Sequence, residues 1–202
     1  MQEKRTILFF GDSNTYGYDP ADFWEGRYPK EKRWTYLLEE KVKNRWDVVA
    51  EGVNGRKIPT LKYDSRRIEQ INGKIGPDDL FAVMLGTNDI VQNVPAPADT
   101  AAEKMKQFLD FLLARRSAET ILVIAPPHIA DATAADPFFL RFYEESVKMN
   151  RYFAELAEKK GVLFADAGEW GIGMAADQVH FSEKGHRTFA EHMAGFLRNC
   201  HM

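Results

Sequence analysis

The chain has 202 residues, 45% of them hydrophobic and 28% charged, with a formal net charge of −3. That length suits one compact domain and is short for two, so a single domain over residues 1–202 is expected. The faintly acidic balance gives no basic footprint for a nucleic-acid partner, no run of about 18 apolar residues offers a membrane span, and one cysteine, Cys200, excludes an internal disulfide.

In chain order, residues 6–10 form a short apolar, β-favouring run that reads as a buried parallel strand. Four strongly apolar residues are too few for a signal-peptide core, so a cytoplasmic protein is expected. The run ends at Gly11-Asp12-Ser13-Asn14, a turn that presents an acid, a hydroxyl and an amide. Residues 16–32 form a long loop carrying Tyr16, Tyr18, Phe23, Trp24 and Tyr28, aromatics that suit a substrate wall, an oligomer contact or a core private to the loop. Residues 33–43 have helical spacing, and 47–50 read as a second strand, followed by Gly52-Val53-Asn54-Gly55. A third strand over 80–85 leads into Gly86-Thr87-Asn88-Asp89, and a helix is expected over 101–115. A fourth strand over 120–125 meets Pro126-Pro127-His128 and a long loop to Pro137. A helix over 138–160, a fifth strand over 162–165 and a last helix over 182–198 complete the pattern, with Asp177-Gln178-Val179-His180 just before that helix. Strands alternating with helices predict an α/β fold, a three-layer α/β/α sandwich around a parallel sheet.

The polar groups gather at one edge of that sheet. Ser13, the 52–55 turn and the 86–89 turn all follow strand carboxyl ends, where open α/β sheets place their chemistry. Ester cleavage by a serine needs an imidazole to take the hydroxyl proton and a carboxylate to orient that imidazole. It also needs donors for the oxygen that turns negative. Ser13, His180 and Asp177 supply the first set. The backbone N–H groups of Ser13 and Gly55, with the Asn88 amide, make a three-donor pocket. Gly52 flanks the same turn as Gly55 and competes for that role. The bland reading of Ser13 and Asn14 is turn capping, and that of Asn88 is bridging its own turn.

Gly11-Asp12-Ser13-Asn14, Gly55, Gly86-Thr87-Asn88-Asp89 and Asp177-x-x-His180, in this order along nearly the whole chain, resemble the SGNH (GDSL-type) hydrolases. The strings at 12–17, 33–34 and 51–56 are most similar to the arylesterase and acyltransferase branch, which is also similar to carbohydrate acetylesterases. The resemblance implies a five-stranded flavodoxin-like sheet and no cofactor; no metal site is expected, and the single cysteine argues against a structural zinc. It implies Ser13 as nucleophile, His180 as base, Asp177 as its partner, and Ser13, Gly55 and Asn88 as oxyanion donors. The family usually carries Leu after the serine, and Asn14 is taken as a minor departure because it need not touch the reacting centre.

His128 competes with His180, since it too lies at the carboxyl edge, with Asp131 three residues on; the resemblance favours His180. His186 and His192 fall within the last helix and read as surface or partly buried packing residues. A phospho-acceptor receiver would want a lysine after the last strand, where Asp166-Ala167-Gly168 stands, and a nucleotide binder would want a glycine-rich phosphate loop. The function expected is a serine esterase for small short-chain O-acyl esters, acetyl or aryl esters or acylated carbohydrates. It would work through an acyl-enzyme, with transfer to an alcohol as a second outcome. A catalytically inactive binding module on the same fold is the alternative. The partner expected is a small-molecule ester, with a homo-oligomer suggested by the branch resembled and by the aromatic loop.

Overall fold

The structure is a computed structural model that describes residues 4–22, 24, 26–91, 95–131, 133 and 136–200. Five strands, β1 (Arg5–Gly11), β2 (Trp46–Gly52), β3 (Leu80–Met84), β4 (Ile121–Ala125) and β5 (Leu163–Asp166), pair in parallel in the order β2-β1-β3-β4-β5. The expected five-stranded parallel sheet is therefore present, with strand ends moved by one or two residues. β3 and β4 are buried at every position, as strands covered on both faces must be.

Alternate residues of the strands face two separate cores. Leu8, Phe10, Phe81 and Val83 pack with α3 (Leu61–Asn72), α5 (Pro97–Leu113) and α6 (Pro137–Lys160). Ile7, Phe9, Ala82 and Ile124 face α2 (Trp34–Val42) and α7 (Glu183–Asn199), where the Phe9 ring meets Trp34 edge-on at 4.7 Å. This period-2 division of one strand between two cores is what makes three layers.

Helix α3 has no counterpart in the sequence reading. Only Ile68 and Ile71 are buried among its twelve residues, so its apolar stripe is too narrow to stand out from a charged segment. Two single-turn helices, α1 (Ser13–Tyr16) and α4 (Thr87–Ile90), follow β1 and β3 directly. Because β2 and β3 flank β1 on opposite sides, the chain reverses its winding direction there, and a crevice opens beyond the carboxyl ends of β1 and β3. Both single-turn helices sit at that crevice. Among the described residues no helix is long and apolar enough to cross a membrane.

Candidate active site

Ser13 is placed by a turn that its neighbours close. Asp12 caps α1, its carboxylate accepting the Asn14 N–H at 3.0 Å, and Gly17 ends the turn with a left-handed φ of 85°. Ser13 is the first residue of that turn, so its N–H is among those with no partner inside the helix.

The loop between β5 and α7 brings in the other two groups. Asp177 Oδ1 accepts the N–H groups of Val179 and His180, each at 3.0 Å. This curls the chain so that Asp177 Oδ2 lies 2.6 Å from His180 Nδ1. His180 Nε2 lies 3.0 Å from Ser13 Oγ across 167 residues of sequence. Burial pushes the Asp177 carboxyl up, but the hydrogen bonds from the His180 ring and from the two backbone N–H groups outweigh it and hold the group below the usual carboxylate range. An ionised Asp177 keeps the proton on Nδ1, which leaves Nε2 as the acceptor facing the hydroxyl. Tyr18 lies over the imidazole with ring centroids 4.6 Å apart. Of the other loop aromatics, Tyr28 is buried against His186, Trp24 is 96% exposed, and Phe23 lies outside the described residues.

On the other side of Ser13, Asn88 donates its amide to the Arg56 carbonyl at 3.0 Å and, in a long contact of 3.4 Å, to Asp12 Oδ2. Asp89 accepts the Ile58 N–H at 2.9 Å and pairs with Lys104 at 2.9 Å. The two side chains of α4 thus clamp the 55–58 segment against the crevice. Gly52 and Gly55 separate here. Gly52 ends β2, and a Cβ on it would collide with the Thr15 and Tyr16 backbone, so the close approach of α1 requires it. Gly55 stands beyond the strand with φ 71° and open space around it. Beyond Gly55 lies a cavity of ≈ 350 Å³ with Arg56, Lys57, Arg67 and Lys104 in its walls.

Three participants were not identified as such from the sequence. Asp12 is 2% exposed, and burial raises its pKa to about 7 against the opposing pull of the Asn14 N–H and the Arg56 charge. Arg56 donates to the Gly11 and Glu51 carbonyls and lies over the Phe10 ring at 4.2 Å, joining the ends of β1 and β2. Asn14, expected to be a minor departure, makes contacts that no motif signalled: its side-chain amide bonds Phe181 N and Val179 O, on either side of His180. No signal within 11–14 points to this, because the partners are backbone groups more than 160 residues away.

His128 does not join Ser13. Its ring packs against Tyr143 at 5.6 Å and lies beside Gly168, and burial holds its pKa below the usual imidazole value despite nearby Asp166 and Glu169. His186 is fully buried, not a surface residue, and burial lowers its pKa to about 3. Among the described residues no three His, Cys, Asp or Glu side chains form a group that could hold a metal ion.

The model of the GDSL-like lipase/acylhydrolase family matches residues 9–188. The GDSL lipase Rv0518 of Mycobacterium tuberculosis is 26% identical over 198 residues, spanning 95% of this chain and 80% of that protein. Among solved structures, a putative arylesterase from Agrobacterium tumefaciens superposes with a TM-score of 0.79 at 29% identity, covering 97% of this chain and 99% of that one. A carbohydrate acetylesterase from Sinorhizobium meliloti, Est24, gives 0.76 at 27% identity, covering 96% and 99%.

Proposed function

This chain belongs to the GDSL-like lipase/acylhydrolase family and is a serine esterase acting on acyl esters, and from that premise we propose how it works and on what. Ser13 is the nucleophile, His180 the base and Asp177 its orienting partner. The single observation that carries this assignment is the unbroken run Ser13 Oγ–His180 Nε2 at 3.0 Å and His180 Nδ1–Asp177 Oδ2 at 2.6 Å.

Ser13 Oγ bonds to the acyl carbon while its proton passes to His180 Nε2, and the carbonyl electron pair moves onto oxygen. The Ser13 and Gly55 N–H groups and the Asn88 amide are the donors for that oxygen. Asn88 would exchange its long 3.4 Å contact with Asp12 for the oxyanion, while its bond to Arg56 keeps it aimed. The intermediate collapses as His180 returns the proton to the departing alcohol, leaving an acyl-Ser13 ester. Water then attacks that ester, giving its proton to Nε2, and the acid leaves as Ser13 recovers it. An alcohol in place of water gives acyl transfer by the same steps.

The substrates are small esters with short acyl groups, acetyl above all, on aryl or carbohydrate alcohols. One observation supports this: the likeness to an arylesterase and to a carbohydrate acetylesterase. A homo-oligomer is part of the same proposal, supported by Trp24, which stands 96% exposed on the long loop. A cytoplasmic location fits a chain whose single cysteine, Cys200, is free.

The test is Ser13→Ala assayed on a chromogenic acetate, with a serine-directed phosphonate as label. Activity should fall by ~10⁴ or more with the fold intact, and the phosphonate should add to Ser13 alone. Retention of a few per cent of parent activity would remove Ser13 from the role. A panel of acetylated sugars against aryl acetates then identifies the alcohol.

A further inference from the structure

Asn14 occupies an unusual position relative to the base. Its Oδ1 accepts the Phe181 N–H at 2.9 Å and its Nδ2 donates to the Val179 carbonyl at 3.2 Å. In an extended chain the C=O before a residue and the N–H after it point the same way. A residue of a neighbouring parallel strand bonds to both. One side-chain amide does the same here, pairing with residue 180 as a strand would.

The anchor of that amide is itself fixed. The Asn14 N–H is held by Asp12 at 3.0 Å, and its carbonyl accepts the Trp34 indole N–H at 2.8 Å. Trp34 is fully buried, and its backbone N–H donates to Nδ1 of the buried His186 of α7 at 3.3 Å. Asn14 is 4% exposed, so water does not compete for its bonds. The residue next to the nucleophile thereby fixes the backbone on both sides of the base. Asp177 orients the imidazole within its own loop, but the Asp177–His180 turn is local and does not set how far that loop stands from Ser13. Asn14 ties that loop directly to the turn that carries Ser13.

We propose that Asn14 is a positioning residue for the ester reaction, its side-chain amide holding the His180 backbone in register with Ser13. The proposal rests on the reading of His180 as base. Attack requires Nε2 within hydrogen-bond reach of Oγ, and a displacement of about 1 Å can cost ~10² in rate. The amide acts on the imidazole and does not touch the ester, so its loss lowers kcat and leaves KM alone.

The experiment compares the parent protein with Asn14→Leu, Asn14→Asp, Ser13→Ala and His180→Ala on a chromogenic acetate. Sites are counted by phosphonate titration taken to completion, so that misfolded protein is not scored. Asn14→Leu should turn over ~10- to 10²-fold more slowly per titrated site with KM unchanged. Asn14→Asp adds a readout that a packing role would not move. A neutral carboxyl reproduces both bonds, whereas an ionised one repels the Val179 carbonyl. Its kcat relative to the parent should therefore rise as pH is lowered. The titrating groups around this region, Asp12, Asp177, His180 and His186, are common to both proteins and enter both profiles. If the titrated sites of Asn14→Leu turn over at the parent rate, or the Asn14→Asp ratio is flat with pH, the positioning role is wrong. If His180→Ala itself stays active, the underlying assignment of the base has failed instead, and the two failures are told apart in one series.

Discussion

Two loops at the carboxyl edge of the sheet each carry a histidine and an aspartate three residues apart, and they behave in opposite ways. In the loop before α7 the order is Asp177 then His180; in the loop after β4 it is His128 then Asp131. An aspartate side chain caps N–H groups that follow it in sequence. Asp177 therefore turns the chain toward His180 and meets its ring at 2.6 Å. Asp131 turns the chain away, capping the N–H of Thr133 at 2.7 Å and its hydroxyl at 2.5 Å. Residue order sets which aspartate turns back onto its histidine. The second difference is where the outside ties lead: the Asn14 amide beside Ser13 holds the backbone on both sides of His180, while Ser146 and Asn150 of α6 hold the backbone around His128, whose ring faces Tyr143 and Gly168.

The largest contrast is expected from removing the two imidazoles. His180→Ala should cost nearly as much as loss of Ser13, ~10⁴ or more in kcat, because nucleophile and base act as one unit. His128→Ala should keep kcat close to the parent and act, where it acts, on KM. Steady-state kinetics on a chromogenic acetate measures both, and a reversal would exchange the roles of the two loops. Next in size is the acid. Asp177→Asn keeps the shape of the turn but loses the charge that holds the imidazole tautomer, so kcat should drop ~10³–10⁴. Asp131→Asn should leave kcat unchanged, since its partners are Thr133 and solvent.

The order Asp-x-x-His was legible in the sequence because the interaction that builds it is local. The placement of Ser13 and Asn88 was legible too, because the buried strands β1 and β3 advertise their ends through apolar runs followed by glycine. Local patterns do not extend to what crosses the chain. The Asn14 amide meets Val179 and Phe181, and the Trp34 indole meets the Asn14 carbonyl, through backbone partners that carry no side-chain signature. Helix α3 was missed for a related reason: it buries two isoleucines and leaves its other residues exposed or half-buried, so only the tertiary contact distinguishes it from a charged loop. The choice between Gly52 and Gly55 likewise depends on α1 lying against Gly52, a packing fact.

A smaller difference between the loops is expected in acid. Burial holds His128 below the usual imidazole pKa. A group depressed in the folded state contributes stability above its unfolded pKa, near 6.5, and that contribution is lost as pH falls toward the folded value. His128→Gln cannot protonate, so its melting temperature should decline less between pH 7 and pH 5 than that of the parent. Asp177 is also depressed, but from 3.8, so its contribution disappears only in stronger acid. Thermal melts at several pH values separate the two, and an unchanged slope in His128→Gln would contradict the lowered pKa of this half-buried imidazole.

The smallest effect concerns backbone strain shared by both loops. Ala130 and Gln178 have φ of 58° and 60°, and the Ala130 N–H donates to the Gln178 carbonyl at 3.0 Å, so the loops meet at two left-handed residues. That conformation costs a residue with a Cβ about 1–2 kcal/mol, while glycine gives back about 0.4–1 kcal/mol through the freer unfolded chain. Ala130→Gly should therefore stabilise the protein by roughly 0.5–1 kcal/mol, the difference of those two terms. Its kcat should not move, because among the described residues of that loop none hydrogen-bonds to the Ser13 or His180 side chain. Gln178→Gly relieves the same strain, but it lies between the acid and the base. The added freedom there loosens the turn that holds Nδ1 against Asp177, so the gain in melting temperature should come with a fall in kcat. Equal kinetics in the two glycine variants would mean that Asn14 and the Asp177 cap fix the base without help from the backbone at Gln178. Destabilisation by Ala130→Gly would mean that the left-handed turn is held by more than the single hydrogen bond to Gln178.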